Sequence, residues 1–314
     1  MSSDTAAADM KAALSARDAL FARRNRGLWG DALHRLMKNR FAVAAAVLLI
    51  LIGAVVILGN NWSVVQRHAP ETQYGAHARE GPTAEFIFGT DNLGRDTWSR
   101  VLQGTAVSLQ IGLGAVLIQL IIGILVGGSA ALLGKWGDNL LMRFTDLTYA
   151  FPDLLAIILM RAVLSDRDWP VVGDDRLLMM FAISFVAWVT IARLVRGQML
   201  SLQQLDFVVA AQAMGATRGR IVFQHMLPNT LGPVIVAATC AIPLAIFAEA
   251  VLGFIGFGIA PPTASLGRLV ADGQRYMQTN YWMAVFPAGA IALLMLCFTF
   301  LGDGLRDALD PRSR

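Results

Sequence analysis

Residues 201–229 read SLQQLDFVVAAQAMGATRGRIVFQHMLPN, a semi-polar island between two long apolar runs. Asp206, Gln212, Arg218, Arg220, Gln224 and His225 interrupt it too often for a bilayer span, which needs roughly 20 predominantly apolar residues. The pattern predicts a helix, a break and a second short helix. Ser201 with Gln204 three places on has the form of a capping box. Leu205, Val208, Val209 and Gln212 then recur at helical spacing, Gly215 offers the break, and Thr217 stands where a second N-cap belongs. Pro228-Asn229 is expected to stop the second helix before the next apolar run. A folded, partly apolar helical pair beside membrane spans has the character of a docking handle.

The runs on either side settle the class. Of 314 residues, 56% are hydrophobic and 15% charged, far more apolar than a soluble globular domain. The apolar residues come in blocks, which read as spans and not as one core. Six are expected: 41–58, 107–133, 142–163, 177–194, 231–252 and 282–301. Gly123 and Gly127 give the second a small-xxx-small face for close packing. Pro152 either kinks the third or marks its true start. Ahead of the spans, 1–40 forms a basic tail whose stretch from Arg17 to Arg40 puts Trp29, Leu33 and Leu36 on one face, as in an interfacial helix. The loops 60–104 and 254–281 are long and polar or Gly/Pro-rich. A third loop carries Asp166, Asp168, Asp174 and Asp175, and 302–314 is a polar tail.

Six spans place both termini on one side. Lys and Arg number 17 on that side, including the island and its flank, against 9 in the opposite loops. The excess puts the termini, the short turn at Lys135 and the docking segment (196–230 with its flanks) in the cytoplasm. The same distribution accounts for the net charge of +4 without nucleic acid as a partner.

Several chemistries are excluded. The nearest approach to a P-loop, Gly128 to Trp136, has one residue too many between its glycines and a tryptophan where a magnesium-binding hydroxyl is required. Gly253-Phe254-Ile255-Gly256-Phe257-Gly258 follows a span and reads as packing, not as a dinucleotide site. Cys240 and Cys297 lie inside apolar runs as small hydrophobes. No nucleophile or His-Glu-x-x-His arrangement marks a hydrolase, so no catalytic residue and no metal site is assigned. Among ionisable groups near spans, Asp146 is expected to lean on Arg143 or interfacial water, Arg161 to snorkel outward, and Glu249 to touch a hydrated path or make a structural hydrogen bond.

Val209-Ala210-Ala211-Gln212-Ala213-Met214-Gly215, followed by Leu227-Pro228, resembles the Glu-Ala-Ala…Gly…Leu-Pro loop of ABC-importer permease subunits. Five further blocks are similar to the dipeptide/oligopeptide/nickel group of those permeases: FGTDNLGRDTWSRVL (88–102), MRFTDLTYAFPDLL (142–155), ARLVRGQMLSL (192–202), EAVLGFIGFGIAPP (249–262) and GDGLRDALDPR (302–312). The first and last favour the "C" type of the two permeases. Val209 stands in the motif's acidic position and His225 in one often occupied by Ile.

The resemblance implies an all-α polytopic membrane protein of type I ABC-importer architecture, with six transmembrane helices over 41–301. It implies that the island is a coupling loop seated in a groove of a separate ATPase. Leu205, Val208, Val209, Ala210, Ala211, Ala213, Gly215, Leu227 and Pro228 would carry that contact, by shape and apolar surface more than by charge. It implies a second permease, two ATPase subunits that bind ATP and magnesium in place of any cofactor here, an extracytoplasmic binding protein, membrane lipids and a peptide cargo. Import of nickel, glutathione or another small solute by the same machinery is the alternative. An ion-coupled secondary transporter would show intramembrane charge pairs or an inverted repeat, and neither is visible in the sequence.

Overall fold

A computed structural model describes residues 28–59, 65–165 and 174–310, and these contain helices and loops but no strand. In chain order the helices are α1 (Leu28–Leu36), α2 (Arg40–Gly59), α3 (Thr97–Leu132), α4 (Gly134–Tyr149), α5 (Asp153–Ser165), α6 (Asp175–Leu202), α7 (Asp206–Ala213), α8 (Arg218–Ile221), α9 (Leu227–Phe254), α10 (Leu266–Gln274) and α11 (Trp282–Leu309). A single π-helical turn, Val222–Met226, joins α8 to α9. Five elements are long and apolar enough to cross a membrane: α2, α3, α6, α8 through α9, and α11.

The third expected span differs. Residues 142–163 are not one helix but parts of α4 and α5, bent by 86°. Pro152 lacks an amide hydrogen and biases Phe151 away from helical geometry, so α5 starts immediately after it. The pair nonetheless carries the chain across the bundle. At one end Gln203, just past α6, donates its Nε2 to the Ala131 carbonyl near the end of α3 (3.2 Å). At the other, Arg176 at the start of α6 donates to Gln110 of α3 (3.1 Å). Helices α3 and α6 therefore run parallel, and only a crossing between Leu132 and Asp175 can connect them. Arg161, late in α5, lies 3.4 Å from Asp175, as that crossing requires.

The parallel pair forms the core of the bundle. The two expected glycines sit where expected: a Cβ on Gly123 would lie 2.6 Å from Ile191, and one on Gly127 would collide with the Ala192 carbonyl oxygen. Fully buried Ile111, Ala115, Met179, Ala182 and Leu252 continue the packing into α9. Small residues substitute for the hydrophobic effect here, because lipid tails are as apolar as leucine and close backbone approach supplies the attraction.

The helices overrun their expected ends. The 36 residues of α3 are about 54 Å long, against roughly 30 Å of hydrocarbon. Its first turns project into the loop that precedes it, where the Asp96 carboxylate accepts from the Trp98 and Ser99 amides. That loop is organised around buried Phe86, against which His68 and Tyr74 pack. The expected polar tail is instead the end of α11, helical to Leu309. It packs against the N-terminal helix: a Cβ on Gly304 would strike Ala42 and approach Leu36, and Arg35 donates to the Asp310 carbonyl (3.4 Å). Both ends of the described chain therefore lie together. In α1, Ala32 is buried, Leu36 half-buried and Leu33 exposed. The part of the expected interfacial helix before Leu28, together with Asp166 and Asp168, falls outside the described residues.

Candidate functional site

The island leaves α6 without the expected capping box. Ser201 is still helical, and its Oγ donates to the Gln198 carbonyl (2.8 Å). The first short helix begins only at Asp206, with Leu205 as an extended N-cap residue that offers no side-chain acceptor. The apolar run of α6 carries the helix past Ser201, and tertiary packing overrides the local signal. The break falls where expected: Gly215 has φ +83°, a left-handed conformation that favours glycine. Thr217 is the second N-cap, accepting from the Arg220 amide at 3.4 Å.

Pro228-Asn229 does not stop the second helix. The π turn lets the Leu227 amide reach the Val222 carbonyl, and Pro228, which has no N–H to donate, falls where that turn passes into the first turn of α9. Asn229 secures the junction by donating its Nδ2 to the His225 carbonyl (2.6 Å).

The nine residues of the expected contact separate into two sets. Val208 and Ala211 are buried in a cluster with Ile191, Val195, Met199, Ile221, Val222, Met226 and Val234, contributed by α6 through α9. Leu205, Val209, Ala210, Ala213, Gly215 and Pro228 are exposed, and Leu227 is half-buried. Phe207, Met214 and Phe223, not singled out from the sequence, extend the exposed apolar surface, Met214 to 83%. Arg218 and Arg220 flank it. Beneath it, a cavity of about 270 Å³ opens between the end of α3 and the segment, lined by Leu132, Gln203, Gln212 and Arg218 among others.

Polar ties fix this end of the bundle as one body. Arg196 of α6 grips Asp138 of α4 with one guanidinium edge, Nε donating to one carboxylate oxygen and Nη2 to the other at 2.6 Å. Arg193 meets Asp146 at 2.8 Å and lies over the Tyr149 ring, 4.7 Å from its centroid. Asp146 therefore pairs with Arg193 and not with the expected Arg143. Arg161 does not snorkel; it is 7% exposed and ion-paired to Asp175, whose other oxygen accepts from the Ala260 amide at 2.9 Å.

Glu249 is fully buried between α9 and α3, where it accepts from the Ser108 hydroxyl at 2.7 Å. It does not line the open cavity of about 580 Å³ between α5, α6 and α9, whose rim carries exposed Tyr149, Leu154, Leu244 and Phe247. That cavity is bordered by Gln119, Thr190 and a row of alanines, Ala237, Ala241, Ala245 and Ala248. The sequence contained its signal: one uncharged polar residue inside an apolar run, and alanines at helical spacing on a later span. Among the described residues no cluster of three His, Cys, Asp or Glu side chains is arranged to hold a metal ion.

Comparison with known proteins matches this arrangement. Residues 119–314 match the family described as binding-protein-dependent transport system inner membrane component, and residues 27–82 match the N-terminal TM domain of oligopeptide transport permease C. The oligopeptide transport system permease protein OppC of Bacillus subtilis (strain 168) is 36% identical over 304 residues, 96% of each chain. OppC of Escherichia coli (strain K12) is 38% identical over 92% of this chain and 93% of its own. The dipeptide transport system permease protein DppC of Bacillus subtilis is 38% identical over 90% of this chain and 86% of its own. Among solved structures, a chain from the inward-facing MetNI methionine ABC transporter shares the fold, with TM-score 0.54 and 20% identity over 67% of this chain and 96% of that one. The matched family spans most of the chain, and the helical bundle with its surface segment has that fold: this protein belongs to the binding-protein-dependent transport system inner membrane components, the permease subunits of ABC importers, and is a transport subunit rather than an enzyme.

Proposed function

We propose that this chain is one of two homologous permeases in an ATP-driven importer of di- or oligopeptides, and that segment 203–229 is its coupling contact with an ATPase subunit. The carrying observation is the division within that segment. Val208 and Ala211 anchor it to α6, α8 and α9, while Leu205, Phe207, Val209, Met214 and Phe223 present apolar surface that nothing among the described residues covers. An anchored segment with an uncovered apolar face is a lever waiting for a groove. The ties from Gln203 to α3 and from Arg196 to α4 make the permease end move as a body, which suits rigid-body switching between inward- and outward-open states.

ATP and magnesium belong on the partner ATPases in this reading. The basic excess at the termini and segment supports a cytoplasmic position for them. The loops around Phe86 and α10 then face an extracytoplasmic binding protein. Peptide is preferred as cargo because relatives named for oligopeptide and dipeptide transport align over nine-tenths of the chain or more.

The test uses the whole transporter reconstituted in vesicles. A Leu205→Asp, Met214→Asp double variant changes only exposed positions, so the chain should insert normally yet lose its ATPase on purification and cease tripeptide uptake. Retention of the ATPase would sink the contact. Uptake of nickel but not of peptides by the unaltered transporter would sink the cargo.

A further inference from the structure

Gln119 is a polar group in the membrane that the packing of this chain does not explain. It interrupts the apolar run 115–126 of α3, is 2% exposed, and borders the 580 Å³ cavity between α5, α6 and α9. Ser184 nearby donates to the Ala115 carbonyl at 2.9 Å, and one oxygen of Glu249 accepts from Ser108 while the other is buried without a partner among the described residues. Among the described residues the Gln119 carboxamide has no hydrogen-bond partner, and it borders open space. With α3 ending at Leu132, Gln119 lies about 20 Å from that end, deep in the hydrocarbon zone, where an unpaired amide is costly.

The surroundings say what kind of partner fits. Ala187 of α6 and the row Ala237, Ala241, Ala245 and Ala248 of α9 leave room beside an apolar wall that includes Leu154, Ile157 and Phe247. The Thr190 hydroxyl adds a second neutral polar group. A carboxamide offers two donors and an acceptor, matching the donor and acceptor that every peptide unit repeats whatever its side chain. A metal ion would require carboxylate, imidazole or thiolate ligands, and of these the cavity has only Asp153 and Cys240, too few for a ligand set.

We infer that Gln119 is a contact for the cargo, pairing with the backbone of a peptide as it passes through this cavity. This rests on the peptide-import reading above. Neutral, single-residue recognition suits passage, since a site that held the peptide's charged termini would retain it.

The experiment uses the complete transporter in vesicles, with a labelled tripeptide and its binding protein. Gln119→Leu should assemble with all partner chains and lower uptake about tenfold, the effect of losing one hydrogen bond to cargo, and Gln119→Asn should restore part of it. In a background of Cys240→Ala and Cys297→Ala, Gln119→Cys should be alkylated by a bromoacetyl-tripeptide only during turnover, with protection by excess unmodified tripeptide. Undiminished uptake by Gln119→Leu, or no alkylation, overturns the assignment. So does loss of the second permease from Gln119→Leu, which would make the amide an inter-permease bond and leave peptide import standing. Absence of tripeptide uptake by the unaltered transporter overturns both readings together.

Discussion

Val208 and Val209 are neighbours with the same side chain and opposite surroundings. Val208 is wholly buried and Val209 is 53% exposed. Val208→Asp places an unpaired carboxylate among Ile191, Val195 and Met226, which should cost at least about 3 kcal/mol and lower the thermal midpoint of the purified complex clearly. Val209→Glu should leave that midpoint unchanged, and uptake per ATP should stay equal or rise, because a carboxylate there restores the family motif at a solvated position. Gly215 is constrained differently. A Cβ there meets nothing within 4 Å, so bulk is tolerated but φ is not. Gly215→Val should cost about 1–2 kcal/mol and lower uptake per ATP, whereas Gly215→Asn, at home in left-handed backbone, should retain it. Equal uptake by the two variants would mean that the angle at this break does not matter. Gly215 and Thr217 were legible in the sequence because break and cap are local chemistry. The separation of Val208 from Val209 was not, because an eight-residue helix acquires an inside and an outside only from what it packs on.

At the scale of elements, hydropathy located every crossing but not the geometry of each. The run 142–163 averages as a single span although Arg143, Asp146, Asp153 and Arg161 interrupt it, and its geometry was legible only in Pro152, expected to kink it or mark its true start, where the 86° elbow falls. The capping box at Ser201 failed for a related reason: α6 is held by α3 along its length, and that packing outweighs one local hydrogen bond. The Gly123/Gly127 face was legible because small residues at that spacing permit a backbone approach that larger ones forbid. Its reach can be tested by contrast within one dipeptide. Gly127→Leu drives a side chain into the Ala192 carbonyl and Val195, and should destabilise the bundle by about 3 kcal/mol, read as loss of monodisperse protein in detergent. Gly128→Ala adds a methyl only 3.7 Å from the Met199 Cε, ordinary van der Waals contact, and should behave as the unaltered protein.

For the whole molecule, the sidedness of the membrane and the path of the elbow are linked. Helices α3 and α6 are parallel, since Ala131 meets Gln203 at one end and Gln110 meets Arg176 at the other. The α4–α5 pair must therefore return the chain to the far side, even though neither helix alone reaches span length. An even number of crossings brings the ends together, as the Arg35–Asp310 contact requires. The basic excess then chooses the face. Alkaline phosphatase, active only outside the cytoplasm, separates the possibilities when fused after chosen residues. A fusion after Gly137 should be inactive, one after Ser165 active, and one after Gln203 inactive. A re-entrant elbow would make the Ser165 fusion inactive as well. The inverse of all three results would put segment 203–229 outside the cell, where no ATPase could engage its apolar face.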